Sequence, residues 1–141
     1  MSLPPEDDAT AGRQPTEAGG AGGRLRIDRL RRRADFLRAA QAARRTTPGF
    51  LLQARSRAAG EHDPSAARVG FTCSRKVGNA VARNRARRRL RAVARAVLPV
   101  AGRPGWDYVL IGRPGTTAGM AYETLLGDLI AALERIHGPR R

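Results

Sequence analysis

The sequence predicts a small α/β (α+β) two-layer sandwich, in which a mixed sheet of three to four strands packs against three helices. Two segments, residues 50–57 and 68–74, alternate apolar and polar side chains with the period of two that is typical of strands. A third segment, Trp106 to Gly112, is almost continuously apolar, as expected of a central strand covered on both faces. Helical periodicity around these segments gives the order helix, strand, strand, helix, strand, helix.

The two ends of the chain are expected to lie outside this domain. Residues 1–23 contain three prolines, five glycines and no aromatic residue, so they cannot bury enough apolar surface to offset the entropy lost on ordering. Their net charge is −3. We therefore predict a disordered acidic tail, rich in glycine and proline, over residues 1–23. One folded domain is predicted over 24–138 and a short tail over 139–141.

The first half of the domain is predicted to hold one helix and two strands. Apolar residues at helical spacing predict a helix around residues 31–43, which Pro48 and Gly49 would stop. The strand at 50–57 would place Phe50, Leu52 and Ala54 in the core, with Leu51, Gln53 and Arg55 on the other face. The strand at 68–74 presents a face of small side chains, which a ligand's backbone could approach closely: Gly70, Thr72 and Ser74.

The second half is predicted to hold two longer helices around the third strand. Asn79 is a favourable N-cap for a helix over residues 79–98, and Pro99 is expected to end it because the residue before a proline avoids helical geometry. The last helix runs from Tyr122 to Ile136, where a stripe of leucines indicates core packing. Gly138 and Pro139 would close it.

Charge is the strongest functional signal in the sequence. Lys and Arg total 27 against 12 Asp and Glu, giving a net charge of +15. Between Pro64 and Trp106 there are eleven cations and no acidic residue. A polyanionic partner would relieve the repulsion among these charges. Nucleic acid is the first candidate, and an anionic membrane surface is the second.

The cations concentrate on the helix predicted at residues 79–98. Its apolar side, mostly Ala and Val, spans an arc of about 120°, as expected of a core-facing stripe. Arg83 lies at the edge of that arc and must find a hydrogen-bonding partner. The rest of the surface is covered by Asn84, Arg85, Arg87, Arg88, Arg89, Arg91 and Arg95. A membrane-lying helix would need bulkier apolar side chains, so phosphate binding is favoured.

The sequence argues against catalysis by the protein itself. His62 and His137 lie in a loop and at the end of the last helix, with no evident partner for acid–base work. Asp107, Glu123 and Asp128 look isolated, so no metal site is predicted. Cys73 is read as a small buried residue, and a single cysteine suits a reducing compartment. Without a signal peptide or an apolar span, a cytoplasmic protein is expected. Another structural RNA-binding protein and a stand-alone nuclease remain as alternatives.

One contiguous segment carries a resemblance to a known family. It runs from Val69 through Ser74-Arg75-Lys76 and Val77-Gly78-Asn79 to Arg83-Asn84-Arg85, followed by Arg87, Arg88 and Arg91. It resembles the bacterial ribonuclease P protein subunit. A weaker likeness extends over residues 26–137 and includes Asp35-Phe36, Arg113-Pro114 and Tyr122-Glu123.

The resemblance implies a function, partners and a set of site residues. The family's protein joins a catalytic RNA that, with Mg²⁺, removes the 5′ leader of precursor tRNA; no further protein partner is implied. The fold implied is ribosomal-protein-S5-domain-2-like, with a left-handed βαβ crossover. Contacts with the catalytic RNA are implied for Ser74, Arg75, Lys76, Asn79, Arg83, Asn84, Arg85, Arg87, Arg88 and Arg91.

A cleft between the first helix and the sheet is implied to hold the single-stranded leader. Its walls would be Phe36 and the open face of Gln53 and Arg55, although Phe36 also fits a core position of the first helix. The sequence departs from the family at Ala40 and Gln53, where aromatic residues are common. Backbone contacts in the cleft are therefore expected more than base stacking.

Overall fold

The computed structural model describes residues 24–138, which form five strands and three α-helices around one mixed sheet. The five strands exceed the three to four that the sequence predicts, and β1 and β2 are the two that no sequence pattern indicates. The tails predicted at 1–23 and 139–141 lie outside the described residues. The elements are β1 (Arg26–Arg29), α1 (Arg33–Ala40), β2 (Ala43–Thr46), β3 (Phe50–Ser56), β4 (Ala66–Cys73), a 3₁₀ turn (Arg75–Val77), α2 (Ala80–Ala101), β5 (Trp106–Gly112) and α3 (Tyr122–His137).

The strands are arranged in the order β1-β4-β5-β3-β2. β4 pairs in parallel with both β1 and β5, whereas β3 runs antiparallel to β5 and β2. Because α2 connects the parallel strands β4 and β5, the fold contains the expected βαβ unit. The left hand of its crossover stays a prediction from the resemblance.

The main core lies between the sheet and the pair α2 and α3. Alternate residues of β3, including Phe50, Leu52 and Ala54, point into it as predicted and are at most 1% exposed. α2 contributes Leu90 and Val93, and α3 contributes its leucine stripe. The smaller helix α1 covers the opposite face, where Leu30, Ala39 and Val109 form a second cluster. The sheet therefore has one closed face and one face that is only partly covered.

The two unforeseen strands are short edge strands without an apolar pattern. β2 is exposed at all four positions, and β1 is half-buried only at Ile27 and Asp28. The helix predicted around residues 31–43 overlaps the start of β2. In the structure this helix ends earlier, at Ala40. Period-two alternation arises only where one strand face is buried, so neither edge strand produces the signal.

Pro99 lies inside α2, so the prediction that it ends this helix is wrong. A proline removes one amide donor, and here the last turn continues to Ala101 because the groups around it find partners. The Gly102 amide donates to the Leu98 carbonyl at 2.9 Å, and the Leu25 amide donates to the Pro99 carbonyl at 2.9 Å. The chain entering β1 therefore supports the final turn.

His137, predicted to lack a partner, is held in an aromatic cluster at the end of α3. Its ring packs edge-on against Trp106 with 4.5 Å between ring centroids, and its Nε2 lies 2.7 Å from the Tyr108 hydroxyl. That hydroxyl accepts a hydrogen bond from the Arg103 amide, so it donates its own hydrogen to a neutral His137. Burial, with the nearby Arg103 charge, lowers the pKa of His137 to about 4.

Stability should consequently fall as the pH drops from about 6.5 to 4, the unfolded and folded pKa values of His137. In this window the unfolded chain binds a proton at His137 and the folded chain does not, so acid favours unfolding. Urea unfolding at several pH values would measure the slope, which His137→Gln should flatten. The same slope in both proteins would show that other groups cause it.

Candidate nucleic-acid interface

A tight turn presents the amino-terminal end of α2. The 3₁₀ turn follows β4 directly, and Gly78 takes a φ of 139°, a backbone conformation that residues with a side chain rarely adopt. The side chain of Asn79 accepts a hydrogen bond from the Ala82 amide at 2.9 Å, which confirms the predicted N-cap. Ser74, Lys76 and Asn79 are exposed on this turn, and Arg75 opens the 3₁₀ segment.

The solvent-facing side of α2 presents polar and cationic groups in one row. Asn84, Arg85 and Arg88 are exposed, and we call these three residues the α2 basic face. Arg87 is half-buried and donates to the Asn84 side chain at 2.6 Å. Arg91 lies with its guanidinium carbon 5.5 Å from the centre of the Phe71 ring. Such contacts restrain the side chains that border the face, which reduces the entropy lost on binding.

Two arginines of α2 donate hydrogen bonds to backbone carbonyls of the protein. Arg83, at the predicted edge of the apolar arc, donates to the Gly78 carbonyl at 2.8 Å and so fixes the turn. Arg89, which the helical wheel assigned to the basic surface, turns toward α3. It donates to the carbonyls of Thr117 and Met120 and thereby ties α2 to the loop before α3. The wheel could not reveal this, because the acceptors are backbone atoms distant in sequence.

The second candidate surface is the sheet face under α1. Phe36 of α1 is half-buried and, like Ile111, packs against the cluster of Leu30, Ala39 and Val109. Its ring lies directly over Gly70, where an added Cβ would come within 2.5 Å of the ring. The small face predicted on β4 is therefore filled at Gly70 by the protein's own side chain and does not admit a ligand there.

The predicted leader-binding residues differ in their access to solvent. Gln53 is only 6% exposed, so the open face expected at this position is closed. Arg55 retains 17% of its side-chain surface and forms two hydrogen bonds of 2.8 Å with Glu61. The hydrogen bonds from Arg55 lower the pKa of Glu61 to about 2. The more accessible part of this face is the next row along the strands, where Leu51, Thr72 and Ile111 are half-buried.

A row of alternating charges crosses the sheet beneath α1. The strand register places Asp28, Arg68, Asp107 and Arg55 side by side on β1, β4, β5 and β3. Asp107 is fully buried and accepts two hydrogen bonds from Arg68, at 2.9 and 2.8 Å, and one from Arg57 at 2.8 Å. The prediction that Asp107 is isolated is wrong, because its partners come from strands that are distant in sequence.

A shallow groove lies at the β1 end of this row. It has a volume of about 390 Å³ and is lined by Asp28, Arg29, Arg31, Arg32, Asp35, His62 and Arg68. The Nε2 atom of His62 lies 2.7 Å from a carboxylate oxygen of Asp28, so this histidine also has a partner that the sequence did not reveal. Hydrogen bonds from Arg26, and then from His62, hold the pKa of Asp28 below its ordinary value.

Neither a metal cluster nor a membrane span is found within residues 24–138. No group of three or more His, Cys, Asp or Glu side chains in this range is arranged to hold a metal ion. None of the helices in the same range is long and apolar enough to cross a membrane.

Comparison with known proteins decides the family. A profile of the ribonuclease P family matches residues 26–137. The ribonuclease P protein component of Ruegeria pomeroyi is 60% identical over 114 residues, covering 81% of this chain and 90% of that protein. The chain belongs to the ribonuclease P protein family. Its members are the protein component of the RNA-based endoribonuclease that matures the 5′ end of tRNA.

Other ribonuclease P proteins support the same assignment. The component from Paramagnetospirillum magneticum is 50% identical over 112 residues, covering 79% of this chain and 84% of that protein. The structure of the ribonuclease P protein from Thermotoga maritima superposes with a TM-score of 0.63 at 28% identity, covering 79% of this chain and 99% of that one. The α+β fold with three helices and a mixed sheet is thus the fold of the family.

In this ribonuclease P protein, Asp107→Asn should lower the free energy of unfolding by about 3–5 kcal/mol. Removing one partner of a buried ion pair leaves Arg57 and Arg68 uncompensated, and their side chains are only 2% and 10% exposed. Urea unfolding would measure the loss. Glu134→Gln, at an exposed position, should change stability by less than about 0.5 kcal/mol. Equal effects of the two substitutions would contradict the structural role of Asp107.

Proposed function

We propose that this ribonuclease P protein binds the catalytic RNA through α2 and the turn before it, and holds the leader of precursor tRNA on the sheet face under α1. The observation that carries the proposal is the α2 basic face together with the acid-free stretch from Pro64 to Trp106. With the catalytic RNA and Mg²⁺, the complex would cleave the leader in the cytoplasm.

The α2 basic face suits a folded RNA partner. Arg85 and Arg88 lie three positions apart and so stand side by side on the helix surface, where like charges repel. Phosphates placed along the row would turn that repulsion into attraction, and a guanidinium can donate two parallel hydrogen bonds to one phosphate. Ser74, Arg75, Lys76 and Asn79 extend the proposed contact along the turn. Arg83 supports it by fixing the turn geometry.

The face under α1 suits a single strand better than a helix. Phe36 and the neighbouring row of Leu51, Thr72 and Ile111 offer apolar surface, while Arg55 stands at the margin. Aromatic and apolar surfaces pack against unpaired bases, and cations track the backbone. Because Gln53 is covered and position 40 is Ala, the support for leader binding comes from Phe36 and this neighbouring row.

The proposal assigns the chemical step to the RNA. Within residues 24–138 no group of three metal-binding side chains is present, and the largest carboxylate network there, around Asp107, is occupied by arginines. RNA phosphates are suitable oxygen ligands for the catalytic Mg²⁺. What the protein's cations supply is neutralisation of backbone repulsion when the catalytic RNA and the precursor tRNA come together.

Removing two charges from the α2 basic face should weaken binding of the catalytic RNA at least tenfold, or about 1.4 kcal/mol. The test variant is Arg85→Gln with Arg88→Gln. Losing two phosphate contacts should also reduce the steepness of the log–log salt dependence by about 1.4 to 1.8. Arg24→Gln with Arg33→Gln is the matched control, because both residues are exposed and lie outside the proposed surfaces. Equal losses in the two variants would mean that only net charge matters.

The assignment of chemistry to the RNA predicts that side chains able to act as acid, base or nucleophile are dispensable. His62→Ala and Cys73→Ala should leave the single-turnover cleavage rate at saturating enzyme within about twofold of wild type, since neither supplies acid–base catalysis, which contributes about 10²–10⁴-fold. The His62–Asp28 pair makes this test informative. A hundredfold loss with binding preserved would place a protein group in the reaction.

A further inference from the structure

A groove between the outer edge of the sheet and α3 is lined by three arginines. It has a volume of about 520 Å³ and is lined by β2, the turn that follows and one side of α3. Arg44 and Arg45 come from β2, and Arg135 comes from the last turn of α3. Within residues 24–138, these three side chains make no hydrogen bond or ion pair. By contrast, Arg57 and Arg68, which are largely buried, both form ion pairs with Asp107.

The α3 side of the groove is a single stripe of the helix. Asp128, Ala131, Ala132 and Arg135 line the groove at helical spacing, so they share one face of α3. The two alanines leave room for a ligand to lie against the helix. The Oδ2 atom of Asp128 is buried and has no hydrogen-bond partner among the described residues. A buried acceptor without a donor is costly, so this carboxylate favours a ligand that brings a hydrogen-bond donor.

The arginines and Asp128 together restrict the chemical class of ligand that the groove can bind. The strand register pairs Arg45 with the core-facing Leu52 and Arg44 with Gln53, so Arg45 is the β2 arginine on the α3 side. The guanidinium groups of Arg45 and Arg135 call for anionic oxygens, whereas the carboxylate of Asp128 calls for a donor and repels a bare anion. A ribose–phosphate backbone carries both, because the 2′-hydroxyl can donate while the phosphate oxygens accept. Lipid phosphates would require neighbouring bulky apolar side chains to insert into the membrane, and the groove is lined by Arg, Thr, Asp, Ala and a single Pro instead.

We propose that this β2–α3 groove binds the ribose–phosphate backbone of a single-stranded RNA segment. It is separate from the other two surfaces: α2 packs over β1, β4 and β5, and α1 covers the opposite face of the sheet. β2 is the edge strand farthest from β1, so RNA here would reach the side of the protein away from β1. The inference rests on the proposed RNA-binding function and adds a third contact to it. The segment belongs either to the catalytic RNA or to the precursor tRNA.

The test replaces Arg45 and Arg135 by Gln in the full chain. Two dissociation constants are measured over a salt series: that of the protein for the catalytic RNA, and that of the assembled enzyme for precursor tRNA. We expect at least one of them to rise fivefold or more, with a salt dependence shallower by about 1.4 to 1.8 because two phosphate contacts are lost. A rise in the first constant identifies the catalytic RNA as the source, and a rise in the second alone identifies precursor tRNA.

Two matched variants make the result decisive, since each also removes two positive charges. Arg24→Gln with Arg33→Gln should change both constants less than twofold, and equal melting temperatures show that folding is intact. If Arg45→Gln with Arg135→Gln matches this control while Arg85→Gln with Arg88→Gln loses affinity, the groove proposal is overturned and the proposed function stands. If Arg85→Gln with Arg88→Gln also loses nothing, the proposed function itself fails.

Discussion

The buried carboxylate of Asp107 organises the face of the sheet that lies under α1. It accepts hydrogen bonds from Arg68 on β4 and from Arg57 just after β3. Arg68 also reaches Asp35 of α1 at 3.3 Å, and Arg57 donates to the backbone carbonyls of Asp63 and Ala66. Charges at this depth are tolerated only when each has its partner, so the positions of three strands, one loop and one helix depend on each other. This network stands directly beside the proposed leader-binding surface.

The arginines of this chain fall into groups that composition alone cannot separate. Some, such as Arg57 and Arg89, bind backbone carbonyls or buried acids and hold elements together. Others, such as Arg85 and Arg88, face solvent and are available to RNA. The total of 27 Lys and Arg residues therefore overstates the number of cations available for binding. Which arginine belongs to which group depends on carbonyl and carboxylate positions that only the fold supplies.

Patterns that reflect burial on one side were predictable from the sequence, and long-range polar pairing was not. The core positions of β3, the amphipathic helices and the Asn79 cap follow from local periodicity and local hydrogen bonding. β1 and β2 were missed because exposed edge strands carry no such periodicity. Pro99 was misread because its compensation comes from Leu25, more than seventy residues earlier. Asp107 and His62 looked isolated for the same reason, since their partners lie on other strands and loops.

The close contact between Phe36 and Gly70 limits how the width of the cleft under α1 can change. The Phe36 ring rests on the backbone of Gly70, and this contact fixes the separation between α1 and the sheet. Even a methyl group at position 70 would come within 2.5 Å of the ring. The cleft therefore takes its width from Gly70, which is itself buried beneath the Phe36 ring. Substitutions at the rim, around Leu51 and Thr72, can change the surface proposed to bind the leader without altering that spacing. A substitution at Gly70, in contrast, would force the Phe36 ring to move and would change the apolar surface of the cleft.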